Sequence, residues 1–163
     1  PAASTSVTRR LSIAPSLVSL QSASWLAHAL TFLSPTIGNS KSQHGILEIQ
    51  GWPVFVETAR TPKELKTGLM HRKTLGPNSG MLFIYRRPKI ACMWMKNTHI
   101  PLSVLFIDRN FVITSIEHMS PNTETPYCSD KSVGYSLEVN QSWVKSKNIT
   151  PNHEVKGIDF FLP

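Results

Sequence analysis

The chain has 163 residues, 40% of them hydrophobic and 17% charged, with a formal charge of +7. That is room for one domain with a substantial core and too little for two comfortable ones. The composition excludes a disordered chain, and apolar stretches broken by serine, proline or charge exclude a multi-span membrane protein.

Residues 1–44 contain ten serines and no acid, with Arg9, Arg10 and Lys41 as their only cations. Arg9-Arg10 come first, an apolar stretch from Trp25 to Leu33 follows, and small polar residues close the segment. Basic, then apolar, then small is the layout of a secretory signal. Arginine and serine without acids also suit an organellar transit peptide, and the arginine pair raises a twin-arginine export signal. The expectation is a targeting segment with a disordered linker over 1–44 and one globular domain over 45–163. Export to the periplasm is the first address and an organelle the alternative.

Between Arg60 and Lys96 stand nine basic residues and the single acid Glu64. Such a stretch either makes a field that attracts small anions or is simply a solvated surface.

Two β-prone runs, around Ile46–Ile49 and Val54–Val56, are separated by Gly51-Trp52-Pro53 and read as a hairpin. Thr61, Pro62 and Glu64 then have the spacing of a capping box with proline at the first helical position. Leu65 and Leu69 share one face, and His71, Arg72 and Lys73 fall where a helix C-terminus favours cations. Strand-like runs follow at Gly80–Tyr85, Ala91–Lys96, Leu102–Asp108 and Phe111–His118, the last two joined at Arg109-Asn110. A polar loop spans Ser120 to Ser132. Gly134–Val139 reads as a strand, Ser142 as the cap of a short helix, and Glu154–Phe160 as a last strand. Eight short strands and two short helices imply an α+β, β-dominated fold. The expected form is a small closed or half-closed antiparallel barrel or sheet.

Several ordered blocks resemble a known family. They are Thr67-Gly68-Leu69-Met70-His71-Arg72, Gly80-Met81-Leu82-Phe83, Trp94-Met95-Lys96-Asn97-Thr98, Ile100-Pro101-Leu102-Ser103, Phe106-Ile107-Asp108 and Leu137-Glu138-Val139. Together they resemble the bacterial domain-of-unknown-function family 192, in particular its exported proteobacterial branch. The resemblance runs from Ile46 to Leu162. It implies a small β-rich fold and an extracytoplasmic address, but no reaction. Many members carry Asp where this chain has Ser103, so no role for that acid transfers.

The branch also has a cysteine before the WMKNT block and another in the later loop, as Cys92 and Cys128 are placed here. With an even cysteine count in an exported chain, this implies a Cys92–Cys128 disulfide. The alternative is two buried thiols acting as small hydrophobes.

The candidate ligand-binding residues are Arg72, Trp94, Lys96, Asn97, Thr98 and Glu138. Strand alternation puts Cys92, Trp94 and Lys96 on one face and Met93, Met95 and Asn97 on the other. A lysine and an amide at the end of an apolar strand can hold an anion or a carbonyl, with Arg72 as a second cation and Glu138 pairing with either. Equally, Asn97 and Thr98 can serve the turn before Pro101 while Lys96 reaches water.

Soft ligands for copper exist in Met93, Met95, His99, His118, Met119 and the cysteines, but no metal-site spacing joins them, and no metal or cofactor is expected. Ser103 with His99 or His118 and Asp108 supplies triad residue types without a nucleophile elbow. Glu117 and Glu138 are the residue types of a carboxylate pair. There is no glycine-rich phosphate loop.

The favoured reading is a non-enzymatic exported module for an anionic envelope component or small ligand. The alternatives are an envelope hydrolase using the same cleft, with Glu138 or Asp108 as acid or base, and a protein-interaction domain with an apolar patch at Trp52 or Trp143. Nucleic acid is not an expected partner, nor is integral membrane association after processing. Oligomeric state, ligand and organism are not legible in the sequence.

Overall fold

The computed structural model describes residues 43–163, so nearly all of the segment read as a targeting signal lies outside the described residues. The domain opens with a hairpin of β1 (His44–Ile49) and β2 (Trp52–Ala59). Its two-residue turn is Gln50-Gly51, with φ of 52° and 79°. Positive φ at both positions matches the right-handed twist of paired strands. Trp52 and Pro53 therefore belong to β2 rather than to the turn. Proline is tolerated there because β2 meets its other neighbour only from Phe55 onward.

Helix α1 (Pro62–Thr67) begins where the capping box places it. Thr61 accepts from the Glu64 amide, and Glu64 reaches back to the Thr61 amide at 2.9 Å. The helix stops at Gly68, which takes φ 48°. His71, Arg72 and Lys73 thus lie beyond it, not in its last turn. Strand β3 (Ser79–Lys89) follows and pairs with β2 in parallel. A parallel pair needs a crossover, and residues 60–78, with α1 inside them, supply it.

The remaining elements are β4 (Cys92–Met93), β5 (Leu102–Ile107), β6 (Ile113–Met119), β7 (Tyr127–Cys128), β8 (Val133–Asn140), α2 (Gln141–Ser146), β9 (Val155–Lys156) and a single 3-10 turn at Asp159–Phe161. The main sheet has seven strands in the order β6-β5-β8-β3-β2-β1-β9, while β4 and β7 form a two-stranded ribbon. Its two edges approach each other. A bridge joins Val112 to Glu154, the Ile113 amide donates to His153 O at 3.0 Å, and the Val155 amide donates to Phe111 O at 2.8 Å. The result is a β-dominated, half-closed barrel, mixed through the single β2–β3 parallel pair.

Alternation along the central strands splits the core in two. Leu82, Leu105, Ile107, Leu137 and Val139 face one cluster, closed by Trp143, Val144 and Phe161. Met81, Phe83, Tyr85, Leu102, Val104 and Phe106 face the other, covered by Leu65 and Leu69 near α1 and by Ala91, Met93, Met95 and Ile100. A fully buried side chain of this size contributes about 1.5–3 kcal/mol relative to exposure. The second cluster carries the site. No helix among the described residues is long and apolar enough to cross a membrane.

Candidate functional site

Strand β8 lies in the middle of the sheet, and its even positions face the second cluster. Glu138 sits there between Met81 of β3 and Val104 of β5. It is 4% exposed, and among the described residues no hydrogen bond or ion pair reaches its carboxyl. Burial disfavours the ionised form and pushes its pKa up to about 8. At neutral pH the group is chiefly a carboxylic acid. Two residues earlier on the same face, Ser136 Oγ accepts from Tyr85 Oη at 2.9 Å. Burial raises the Tyr85 pKa to about 12, and the nearby Glu138 adds to the rise.

Above the Glu138 carboxyl lies a small chamber of about 50 Å³. Leu65, Leu69, Met70, Phe83, Met93 and Trp94 make it apolar, and Thr67, Thr98 and Lys66 add polar groups. Gly68 keeps its roof thin, since a Cβ there would stand 3.1 Å from Phe83 Cζ and 3.8 Å from Glu138 Oε2. The chamber continues outward into a basin of about 320 Å³ lined by Lys66, Thr67, Met70, Trp94, Lys96 and Asn97. Four residues, Lys66, Thr67, Met70 and Trp94, border both spaces, so they form one cleft. An acid closes its inner end and lysines stand at its mouth.

Five of the six candidate residues meet in this cleft. Trp94 is 39% exposed, with Lys96 Nζ 5.7 Å from its ring centroid. Alternation holds from Cys92 to Lys96, with Met93 and Met95 inward, and then fails. Asn97 adopts φ 53° in a turn and is exposed, and its carbonyl accepts from the His71 amide at 2.8 Å. Thr98 is buried and donates to Lys96 O at 3.2 Å, so its hydroxyl also serves that turn.

Arg72 is not among the five. It pairs with Glu57 of β2 at 2.5 Å, while Lys96 pairs with Glu124 at 3.3 Å. The expected pairing of Glu138 with either cation does not form, because each has a nearer carboxylate. Lys66, Thr67, Gly68, Met70, Phe83 and Met93 complete the cleft and were not among the candidates. Thr67, Gly68 and Met70 belong to the TGLM block and Phe83 to the GMLF block, while Met93 stands just before WMKNT and Lys66 just before TGLM.

Cys92 borders the inner chamber and is bonded to Cys128, its cross-strand partner in the β4–β7 ribbon. The loop after β6 is stitched to the cleft wall along its length. Met95 N donates to Thr123 O at 2.9 Å, Asn122 N to Thr98 O at 3.0 Å, and Ser129 N to Ala91 O at 2.8 Å. Strand β7 lies within what the sequence presents as an unstructured polar loop.

Other constellations do not assemble. Ser103 Oγ and His118 Nδ1 lie 2.7 Å apart as cross-strand partners, but Ser103 is wholly buried. Asp108 is engaged in the β5–β6 turn, where Oδ1 accepts from the amides of Asn110 and Val112. It stands five residues along the chain from Ser103, roughly 17 Å at strand rise. Glu117 and Glu138 are both partners of Val104, one from each side, so two strand spacings, roughly 10 Å, separate their backbones. The wholly buried Val104 stands between them. Met93, Met95 and Met119 pack in the second cluster, and no group of three His, Cys, Asp or Glu residues able to hold a metal forms among the described residues. Trp143 is 4% exposed core and so no part of a surface patch, whereas Trp52 is 44% exposed beneath the Lys147 ammonium.

A larger groove of about 510 Å³ runs between the β1–β2 hairpin and the 72–78 loop with the start of β3, past His44, Ile46, Phe55, Glu57 and Arg72. Its charges already neutralise each other in the Arg72–Glu57 pair. The smaller cleft holds the uncompensated acid, and unpaired buried ionisable groups are the stronger indicator of a site.

Comparison with known proteins agrees with the blocks read from the sequence. Residues 45–157 match domain-of-unknown-function family 192 (DUF192), described as Uncharacterized ACR. No curated protein matches the chain. Among solved structures, one from Sinorhizobium meliloti 1021, described as a transcription regulator, is 31% identical with a TM-score of 0.69. That match covers 74% of this chain and 98% of the other. A protein of unknown function from Novosphingobium aromaticivorans DSM 12444 is also 31% identical with a TM-score of 0.69, over 72% of this chain and 88% of its own. The chain therefore belongs to domain-of-unknown-function family 192.

Proposed function

We propose that the domain is a binding module for a small anionic ligand, seated in the cleft between Glu138 and the lysines at its mouth. The carrying observation is the lone Glu138 carboxyl beneath a mouth lined by Lys66 and Lys96. Keeping an acid buried without a partner is costly, and such groups are kept where a ligand or a reaction uses them. The exposed Lys96–Glu124 pair is of a kind worth ~0–1 kcal/mol, so an incoming anion can displace Glu124. On this reading the partner is a small molecule rather than nucleic acid, and the module works outside the cytoplasm without membrane integration. The Cys92–Cys128 bond and the layout of residues 1–44 support that address.

A thermal-shift panel of phosphorylated sugars and anionic cell-wall fragments tests the reading. A ligand bound only by the native state raises the midpoint by mass action. A rise that Lys96→Ala abolishes is the expected result. A rise unaffected by Lys96→Ala and Lys66→Ala, or none with any compound, would sink it.

The hydrolase reading also finds support in Glu138, since an acid held protonated at neutral pH can protonate a leaving group. Release of product from a bound ester or glycoside, lost in Glu138→Gln, would replace binding with catalysis.

A further inference from the structure

We propose that the ligand of this cleft is a compact zwitterion, its ammonium group seated in the inner chamber against the Glu138 carboxyl and its anionic group held in the basin by Lys66 and Lys96. This rests on the binding reading and names the chemistry of the ligand. The inner chamber, about 50 Å³, is several times smaller than the basin of about 320 Å³ outside it. It admits a single small head group and leaves the body of the ligand in the larger basin. What that head group must satisfy is one carboxyl without a protein partner. An ammonium does so in charge as well as in hydrogen bonding, while the apolar walls beside it, Phe83 and Trp94 among them, offer it no competing anion. A second anion inside the chamber would instead meet the acid.

The groups that face Glu138 are few. Tyr85 comes from β3 and stays protonated, Lys66 comes from α1 at the chamber wall, and Glu117 lies beyond Val104 on β6. Seating an ammonium ionises Glu138, so binding expels a proton and tightens as pH rises toward 8. A ligand that only accepts a hydrogen bond from the neutral acid weakens over the same range. A phosphate also gains charge over this range, so the part of the pH dependence that Glu138→Gln removes is what separates the two.

The test is calorimetric titration of the full chain with O-phosphoethanolamine, ethyl phosphate and ethanolamine, at about pH 6 and about pH 8. O-phosphoethanolamine is expected to bind at least tenfold tighter than either half-molecule, and tighter at the higher pH. Glu138→Gln, checked for folding by circular dichroism, is expected to lose the advantage over ethyl phosphate, and Lys96→Ala the advantage over ethanolamine. Ethyl phosphate binding as tightly as O-phosphoethanolamine, or affinity falling with pH, overturns the zwitterion and leaves the anion site standing. No binding of any of the three overturns it too, while a cleft-specific response in the wider anion panel would still support the binding module. Sedimentation with phosphatidylethanolamine vesicles, against phosphatidylcholine vesicles, separates the sources: Glu138-dependent pelleting marks a lipid headgroup, and binding of the free compound alone a soluble metabolite.

Discussion

Gly68 and Glu138 face each other across the inner chamber, where a Cβ on Gly68 would stand only 3.8 Å from Glu138 Oε2. The glycine has two functions. Its φ of 48° ends α1, and its missing side chain keeps the chamber open over the acid. Gly68→Ala should therefore cost stability, on the order of 1–2 kcal/mol, through backbone strain and the close approach to Phe83. It should also weaken any ligand that enters the chamber, measured by denaturation and titration of the same variant.

Glu138 should make stability fall with pH. Its folded pKa of about 8 lies above the unfolded value of 4.5. Its contribution is fully favourable below 4.5 and is lost progressively as pH rises to about 8, because only the unfolded chain ionises freely. Glu138→Gln, nearly isosteric and uncharged, should stabilise the protein at pH 7 by about 3 kcal/mol. The pH-dependent loss should vanish with it. Urea denaturation from pH 5 to pH 8 checks both; identical profiles for the two proteins would mean that the carboxyl is ionised or paired.

Replacing Cys92 and Cys128 together by serine removes a link that closes a 36-residue separation. Chain entropy puts the loss on the order of 3–4 kcal/mol. Because Cys92 borders the inner chamber and the loop it anchors braces Met95 and Thr98, ligand affinity should fall as well. Denaturation with and without reductant should separate the wild type from itself but leave the double variant unchanged.

Arg72→Ala and Lys96→Ala should part company. Arg72 belongs to the hairpin groove with Glu57, so its loss should leave cleft binding intact. Lys96→Ala should reduce it about tenfold or more, as loss of a charge-assisted contact of about 1.5–3 kcal/mol implies. Titration of one ligand against both variants decides the matter.

How much of this was legible in the sequence depended on range. The Thr61-Pro62-Glu64 start of α1 is local chemistry and could be read directly, and so could β5 and β8 from their apolar runs. The β2–β3 parallel pair could not, because it depends on a crossover between segments with no mutual signal. Arg72 was misplaced for a related reason. Gly68 ends the helix before Arg72, and Arg72 meets Glu57 of the distant strand β2, a pairing with no local signal. Glu138 was visible as an acid within an apolar strand. Its isolation was not, since that requires knowing that Lys96 is occupied by Glu124 from a distant loop.

The most direct test of the cleft as the ligand site is an amide and indole chemical-shift map of the full chain during titration with O-phosphoethanolamine and a panel of sugar phosphates. The account predicts that perturbations concentrate on Gly68, Met70, the Trp94 indole, Lys96 and Thr98, and spare Ile46 and Phe55. Shifts gathered instead along Ile46, Phe55 and Arg72 would place the site in the hairpin groove and contradict the role given to Glu138.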